Sequence, residues 1–252
     1  MKDGPELLTP SGLAASFDRA ASGYWEHAGV QSALADWLAE WLPADRAGAA
    51  LEVGAGPGTF TRLLLPWTGT LLASDFSPAM VAAGRQRFPQ ANWRLGAAAD
   101  AAGGPWDWIF SSSMLQWVAE PAEVFSAWRA ALAQGGQVLG GLFAAGSLPE
   151  WEALAGEAAP LRWRPAAQWR SALEAAGLTV VREETARRVF RHGTAREFLR
   201  SLHGVGAAPV RRYSAGRLRR LLRDYEAGHR GPGGVIATWT FYRFQATSSR
   251  CP

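Results

Sequence analysis

The stretch LEVGAGPGTF, residues 51–60, sets three alternating glycines, Gly54, Gly56 and Gly58, directly behind a short apolar run. Glu52 stands two positions before the first of them. The run predicts a strand over 49–53, and the segment 59–65, stopped by Pro66, predicts a helix. A glycine loop between a strand end and a helix start lets the backbone approach a ligand closely, and the helix offers it free N–H groups. Dinucleotide loops place the third glycine three positions after the second. Here Thr59 holds that place, and the pattern reads acidic-x-Gly-x-Gly-x-Gly.

Outward from this loop the chain alternates. Strands are predicted over 70–73, 92–95, 106–110 and 137–143, helices over 78–88 and 121–133, and a turn at Gly135-Gly136. Such alternation implies a parallel sheet with helices on both faces. Asp75 closes the second strand, where a carboxylate can accept both hydroxyls of a ribose. Before the loop, Leu34, Trp37, Leu38 and Trp41 lie at helical spacing in 30–42, behind an irregular arm and a short helix. After residue 146 the rhythm changes. A helix over 165–176 ends at Gly177, and a strand runs over 178–190. Thr194 and Ser214 cap two helices, and 235–244 forms a last strand. Two helices between the last two strands predict a lid over about 191–230. One unit spanning 1–252 is expected: a helical arm over 1–45, a ligand-binding core over 46–146, and a C-terminal part over 147–252.

The 252 residues are 48% apolar, enough for a sizeable core. Cys251 is the only cysteine, so no disulfide framework or cysteine metal site forms within one chain, and a cytoplasmic setting is expected. His27, His192, His203 and His229 show no metal spacing. No charged segment followed by an apolar one reads as a signal peptide, and the long uncharged stretch 130–149 is broken by glycines and a proline, so no membrane span is expected. Residues 1–160 carry 8 basic and 16 acidic side chains, whereas 161–252 carry 18 and 6, nearly all arginine among the bases. The basic half suits an acidic partner or is a solvated face.

The glycine pattern joined to SDFSPAM (74–80) resembles the first motifs of the class I S-adenosylmethionine-dependent methyltransferases. Further segments narrow the resemblance: FDRAASGYWEHAGVQ (17–31), SSSMLQW (111–117), GSLPE (146–150) and LRSLHGVGA (199–207) are similar to segments of the malonyl-[acyl-carrier-protein] O-methyltransferases of biotin synthesis, in the same order. The resemblance implies a Rossmann-like α/β fold with a seven-stranded, mostly parallel sheet and a helical lid. It implies S-adenosylmethionine as cofactor and methylation of the free carboxylate of a malonyl thioester, on acyl-carrier protein or coenzyme A. One departure stands out: the family has an Asp for the adenine amino group where this chain has Ala97, followed by Ala98. A methyltransferase with another small acceptor, and a nonenzymatic cofactor-binding protein, remain as alternatives.

The expected cofactor residues are Glu52, Gly54, Gly56, Gly58, Asp75, Phe76, Met80, Ala97, Ala98 and Ser111. On the acceptor side, Tyr24 comes from the N-terminal signature, and Gln116 and Trp117 follow the fourth strand. Arg200 is expected to clamp the acceptor carboxylate, since its planar fork meets both oxygens. A carboxylate is ionised at neutral pH, so no general base is required. On 214–226, Leu218, Leu221, Leu222 and Tyr225 mark an apolar face. Arg217, Arg219, Arg220 and Arg223, with Arg212 before them, are expected to face outward and dock the acidic carrier protein. No Asn/Asp-Pro-Pro-aromatic motif follows the fourth strand, so no nucleic-acid substrate is expected.

Overall fold

The computed structural model describes residues 10–45, 47–156, 163–207 and 213–248. Three helices, α1 (Pro10–Ala20), α2 (Tyr24–His27) and α3 (Gly29–Ala39), precede the first strand. The alternating part follows as β1 (Ala47–Val53), α4 (Thr61–Leu64), β2 (Thr68–Asp75), α5 (Pro78–Arg87), β3 (Asn92–Leu95), β4 (Trp106–Ser112), a single 3-10 turn (Leu115–Trp117), α6 (Pro121–Ala131) and β5 (Leu132–Phe143). The remainder is α7 (Pro149–Ala155), α8 (Ala166–Ala175), β6 (Leu178–His192), α9 (Ala195–Gly204), α10 (Ala215–His229), β7 (Arg230–Gly231) and β8 (Gly234–Ser248).

Why these starts and stops occur is visible locally. Ser77 caps α5 by accepting the Met80 N–H, with Pro78 at the first helical position. Thr194 caps α9 by accepting the Glu197 N–H at 3.1 Å, and Ser214 does the same for Arg217 in α10. Two expectations are corrected. The helix expected to reach 133 ends at Ala131, and Gly135-Gly136 does not form a turn. The pair lies inside β5, where the register shifts between Trp106 and Trp108 of β4. A side chain at Gly136 would stand 2.8 Å from the Trp106 carbonyl oxygen, so glycine serves close backbone approach there. Helix α7 was not expected as a helix at all.

The strands order as β3-β2-β1-β4-β5-β8-β6, with the two-residue β7 added on β8. Strands β1 to β5 pair in parallel, and β8 runs antiparallel between β5 and β6. This is the mostly parallel seven-strand path expected from the sequence. The order reverses between β1 and β4, which opens a crevice at the carboxyl ends of these strands. Beyond β5, a cluster including Leu148, Trp151, Phe198, Leu202, Tyr225 and Trp239 fastens α7, α9 and α10 to β8. Phe198 and Tyr225 stack with centroids 5.2 Å apart, and the Tyr225 hydroxyl donates to the Ile236 carbonyl at 2.8 Å. Among the described residues no helix is long and apolar enough to cross a membrane.

Candidate functional site

The crevice has a volume of about 410 Å³. Its floor comes from the ends of β1 and β2. Glu52 is almost wholly buried, yet its carboxylate borders the crevice and accepts the Thr61 hydroxyl at 2.6 Å. Burial pushes the Glu52 carboxyl up to about 8; the Thr61 hydrogen bond opposes this and the nearby Asp75 charge adds to it. Asp75 accepts the Gly56 N–H at 2.8 Å on one oxygen and the Ser77 N–H at 2.9 Å on the other. Burial raises it to about 6, against the pull of these N–H groups. Both carboxyls hold their protons more tightly than free ones, and a cation placed beside them would lower both values.

Gly56 has φ +56°, and a side chain there would project into open space. The loop is therefore bare on its crevice side. The upper wall is α1, docked by Asp18, which accepts the Ser77 hydroxyl at 2.5 Å and the Ala79 N–H at 3.3 Å. Phe17 beside it meets Phe76 and Trp117 edge-on, with centroids 5.7 and 5.5 Å away. Met80 lines the same wall. The far end is formed by Gly96, Ala97 and Ala98, where among the described residues no acidic side chain lines the crevice in place of the one absent at Ala97. Asp100 is turned away: it pairs with Arg94 and accepts the Ala102 N–H.

A second, narrow cavity of about 20 Å³, room for about one water, adjoins the first and shares Phe17, Tyr24, Gln31, Ser113 and Trp117 with it. Burial, with Asp75 adding, raises the Tyr24 phenol far above its ordinary range, so Tyr24 stays neutral. Gln116 donates to the Ser113 carbonyl at 2.7 Å, which fixes its amide, and its Oε1 is buried without a partner. Ser113 itself sits at φ +59°, a left-handed conformation that non-glycine residues rarely hold outside functional turns. No histidine, lysine or arginine lines either cavity among the described residues.

The structure gathers most of the expected residues and separates three. Glu52, Gly54, Gly56, Asp75, Phe76, Met80, Ala97 and Ala98 line the large crevice; Tyr24 and Trp117 line both cavities; Gln116 lines the smaller. Gly58 lines neither. At φ +102° it lies against the Phe88 ring, 2.5 Å from where a side chain would begin, so its smallness serves packing. Ser111 is buried in β4 and lines neither cavity; Ser112 and Ser113 take its place at the rim. Arg200 is exposed on α9, whose buried face is Ala195, Phe198, Leu199 and Leu202, and it reaches neither cavity. The arginine clamp is thus corrected. Residues not anticipated are Gln31, Thr59, Ser113, Trp163 and Trp239. Gln31 and Ser113 had a signal, as members of the 17–31 and 111–117 segments, and Thr59 stood in the glycine stretch; Trp163 and Trp239 had none. On α10, Leu221 and Tyr225 are buried while Arg217, Arg219, Arg220 and Arg223 are exposed. Arg212 lies outside the described residues.

Comparison with known proteins gives the family and the fold. Residues 24–183 match the family model described as a methyltransferase domain. The chain is 34% identical to a malonyl-[acyl-carrier protein] O-methyltransferase of Herminiimonas arsenicoxydans, over 77% of each protein. It is 29% identical to the biotin biosynthesis bifunctional protein BioHC of Cellvibrio japonicus, covering 91% of this chain and 48% of that longer one. Among solved structures, the YcgJ protein of Bacillus subtilis superposes with a TM-score of 0.62 at 14% identity, over 86% of this chain and 98% of that one. That last similarity concerns the fold alone.

Proposed function

We propose, from the premise that this chain belongs to the class I S-adenosylmethionine-dependent methyltransferases and within them to the malonyl-[acyl-carrier protein] O-methyltransferase family, that it methylates the free carboxylate of a malonyl thioester at an early step of biotin synthesis. The walls of the large crevice suit the cofactor. Its sulfonium and ammonium charges answer Glu52 and Asp75, and the ribose hydroxyls suit the remaining lone pairs of Asp75. The bare backbone at Gly56 admits the amino-acid end, Phe76 and Met80 offer apolar cover, and the adenine meets Gly96, Ala97 and Ala98 without an acidic partner. The cofactor supplies an activated methyl group; the protein supplies position and electrostatics.

One observation carries the choice of acceptor. The smaller cavity has no basic side chain among its described lining residues, and Glu52 and Asp75 line only the cofactor crevice. A hydroxyl acceptor needs a base in reach, whereas a carboxylate arrives ionised and needs none. The exposed arginines of α10 favour an acidic carrier protein as the substrate's bearer. The test is a panel of malonyl-carrier protein, malonyl-coenzyme A and simple phenols with labelled cofactor. Label on the malonyl thioesters and none on the phenols is expected; label on phenols alone would overturn the reading.

A further inference from the structure

The smaller cavity holds an unusual set of buried polar atoms. Gln31 Oε1, Ser113 Oγ, Gln116 Oε1 and the indole nitrogens of Trp163 and Trp239 are all buried with no hydrogen-bond partner among the described residues, and all five residues line this one cavity. Each such atom costs about 1–3 kcal/mol if left unanswered. The two indole N–H groups are donors and the Ser113 hydroxyl can donate, so these three can answer a carboxylate, whereas the amide oxygens of Gln31 and Gln116 only accept and suit a water or another donor. The indoles of Trp25, Trp151 and Trp169 also lack partners, but none of these residues lines either cavity.

The two cavity tryptophans are also braced. Trp239 is flanked by Thr238 and Thr240. Thr238 donates its N–H to Glu150 Oε2 at 3.1 Å and its hydroxyl to Glu150 Oε1, and the Thr240 N–H donates to the Ser147 hydroxyl at 3.0 Å. The Leu148 N–H donates to the Thr238 carbonyl at 2.6 Å, with Leu148 in the left-handed region at φ +56°. The GSLPE segment is thus a strap across β8 at Trp239. Next to Trp163, Arg164 donates to the Val118 carbonyl at 2.8 Å and the Ala119 carbonyl at 2.5 Å. The two indoles meet edge-on, 6.0 Å between centroids.

We infer that this cavity is the acceptor subsite, and that the indole N–H groups of Trp163 and Trp239 hold the non-attacking oxygen of the acceptor carboxylate in place of an arginine. The inference rests on the malonyl thioester reading above. Neutral donors have a chemical advantage. A guanidinium fork engages both carboxylate oxygens and draws charge from the nucleophile, whereas N–H groups on one oxygen leave the other free. That free oxygen forms the bond to the methyl carbon as the carbon–sulfur bond breaks. The bonding pair returns to sulfur, and no proton moves. The GSLPE strap is then a positioning device: Glu150 acts on the acceptor through Trp239.

The test measures binding apart from turnover. The full chain, saturated with the demethylated cofactor, is titrated calorimetrically with malonyl-pantetheine. Trp239→Phe and Trp163→Phe keep an aromatic ring and lose one N–H each, and Trp169→Phe is the control that loses an unpartnered indole away from the cavity. Loss of acceptor affinity by about 10-fold or more in each of the first two, with cofactor-product affinity retained and the control unchanged, is expected. Parent-like affinity in both cavity variants would overturn the N–H assignment while leaving the proposed reaction standing. Equal losses in all three would assign the effect to packing and overturn it as well. If the parent chain neither binds nor methylates the thioester, the proposed reaction itself falls, and the acceptor subsite with it.

Discussion

The Gly56 N–H donates to Asp75 Oδ2 at 2.8 Å, so the glycine loop and the end of β2 form one hydrogen-bonded unit. Asp75→Ala removes the proposed ribose acceptors and frees the loop at once. Cofactor affinity is expected to fall by about 1–3 kcal/mol, read by calorimetry on a variant whose circular dichroism matches the parent. Unchanged affinity would remove Asp75 from the cofactor site.

The Glu52 carboxyl gives a pH signature. Its ordinary value of 4.5 is raised to about 8, so the folded protein holds this proton more tightly than the unfolded chain. Its contribution to stability is therefore complete below the ordinary value and is lost as pH rises toward 8. A cationic cofactor favours the ionised form, so binding releases protons near neutral pH and affinity rises as pH rises through this range. Calorimetry in buffers of different ionisation heat reads the proton release directly. Glu52→Gln removes the buried charge, and is expected to raise Tm above pH 8 while weakening cofactor binding. Proton uptake on binding would contradict the charge pairing.

The two loop glycines separate binding from folding. Gly56→Ala points a methyl into open crevice, so cofactor affinity suffers and the fold pays only the left-handed strain of about 1 kcal/mol. Gly58→Ala drives a methyl into the Phe88 ring at φ +102°, so thermal stability is expected to drop by roughly 1–3 kcal/mol, and binding falls only as the fold loosens. Paired melting and binding measurements distinguish them. Equal stability losses would remove the distinction.

The arginine face of α10 governs encounter. Changing Arg219, Arg220 and Arg223 to Glu should cut kcat/KM for malonyl-carrier protein about 10-fold or more at low salt and flatten its salt dependence. Malonyl-pantetheine should be turned over at the parent rate. A matching loss on the small thioester would assign the patch to the pocket, and no loss on either would leave it a solvated face.

The parallel core was legible because most of its strands are bounded by a proline, glycine or capping residue, β5, which follows α6 directly, being the exception; β3 falls on 92–95 as expected. The pair Gly135-Gly136 misled, because glycines that admit a neighbouring carbonyl look in sequence like glycines that turn a chain. The proposed cofactor site was legible through Glu52, Gly56 and Asp75, which stand at or just beyond strand ends. The acceptor site was not. Trp239 belongs to a strand buried on both faces, so nothing in VIATWTFYRF separates a cavity wall from core. Arg200 shows the opposite error. The spacing of Phe198, Leu199 and Leu202 already places position 200 on the outer face of its helix, but the need for a cation outweighed it.

The central claim is transfer of a methyl group to a carboxylate, and the identity of the product tests it most directly. The full-length chain is given methyl-labelled S-adenosylmethionine and malonyl-carrier protein, and the protein product is isolated and treated with mild base. A methyl ester is expected, seen as one added methyl on the malonyl arm and release of the label as methanol. Label that stays on the acceptor through base, as an ether or a carbon-bound methyl group would, or no label on the malonyl arm at all, would contradict it.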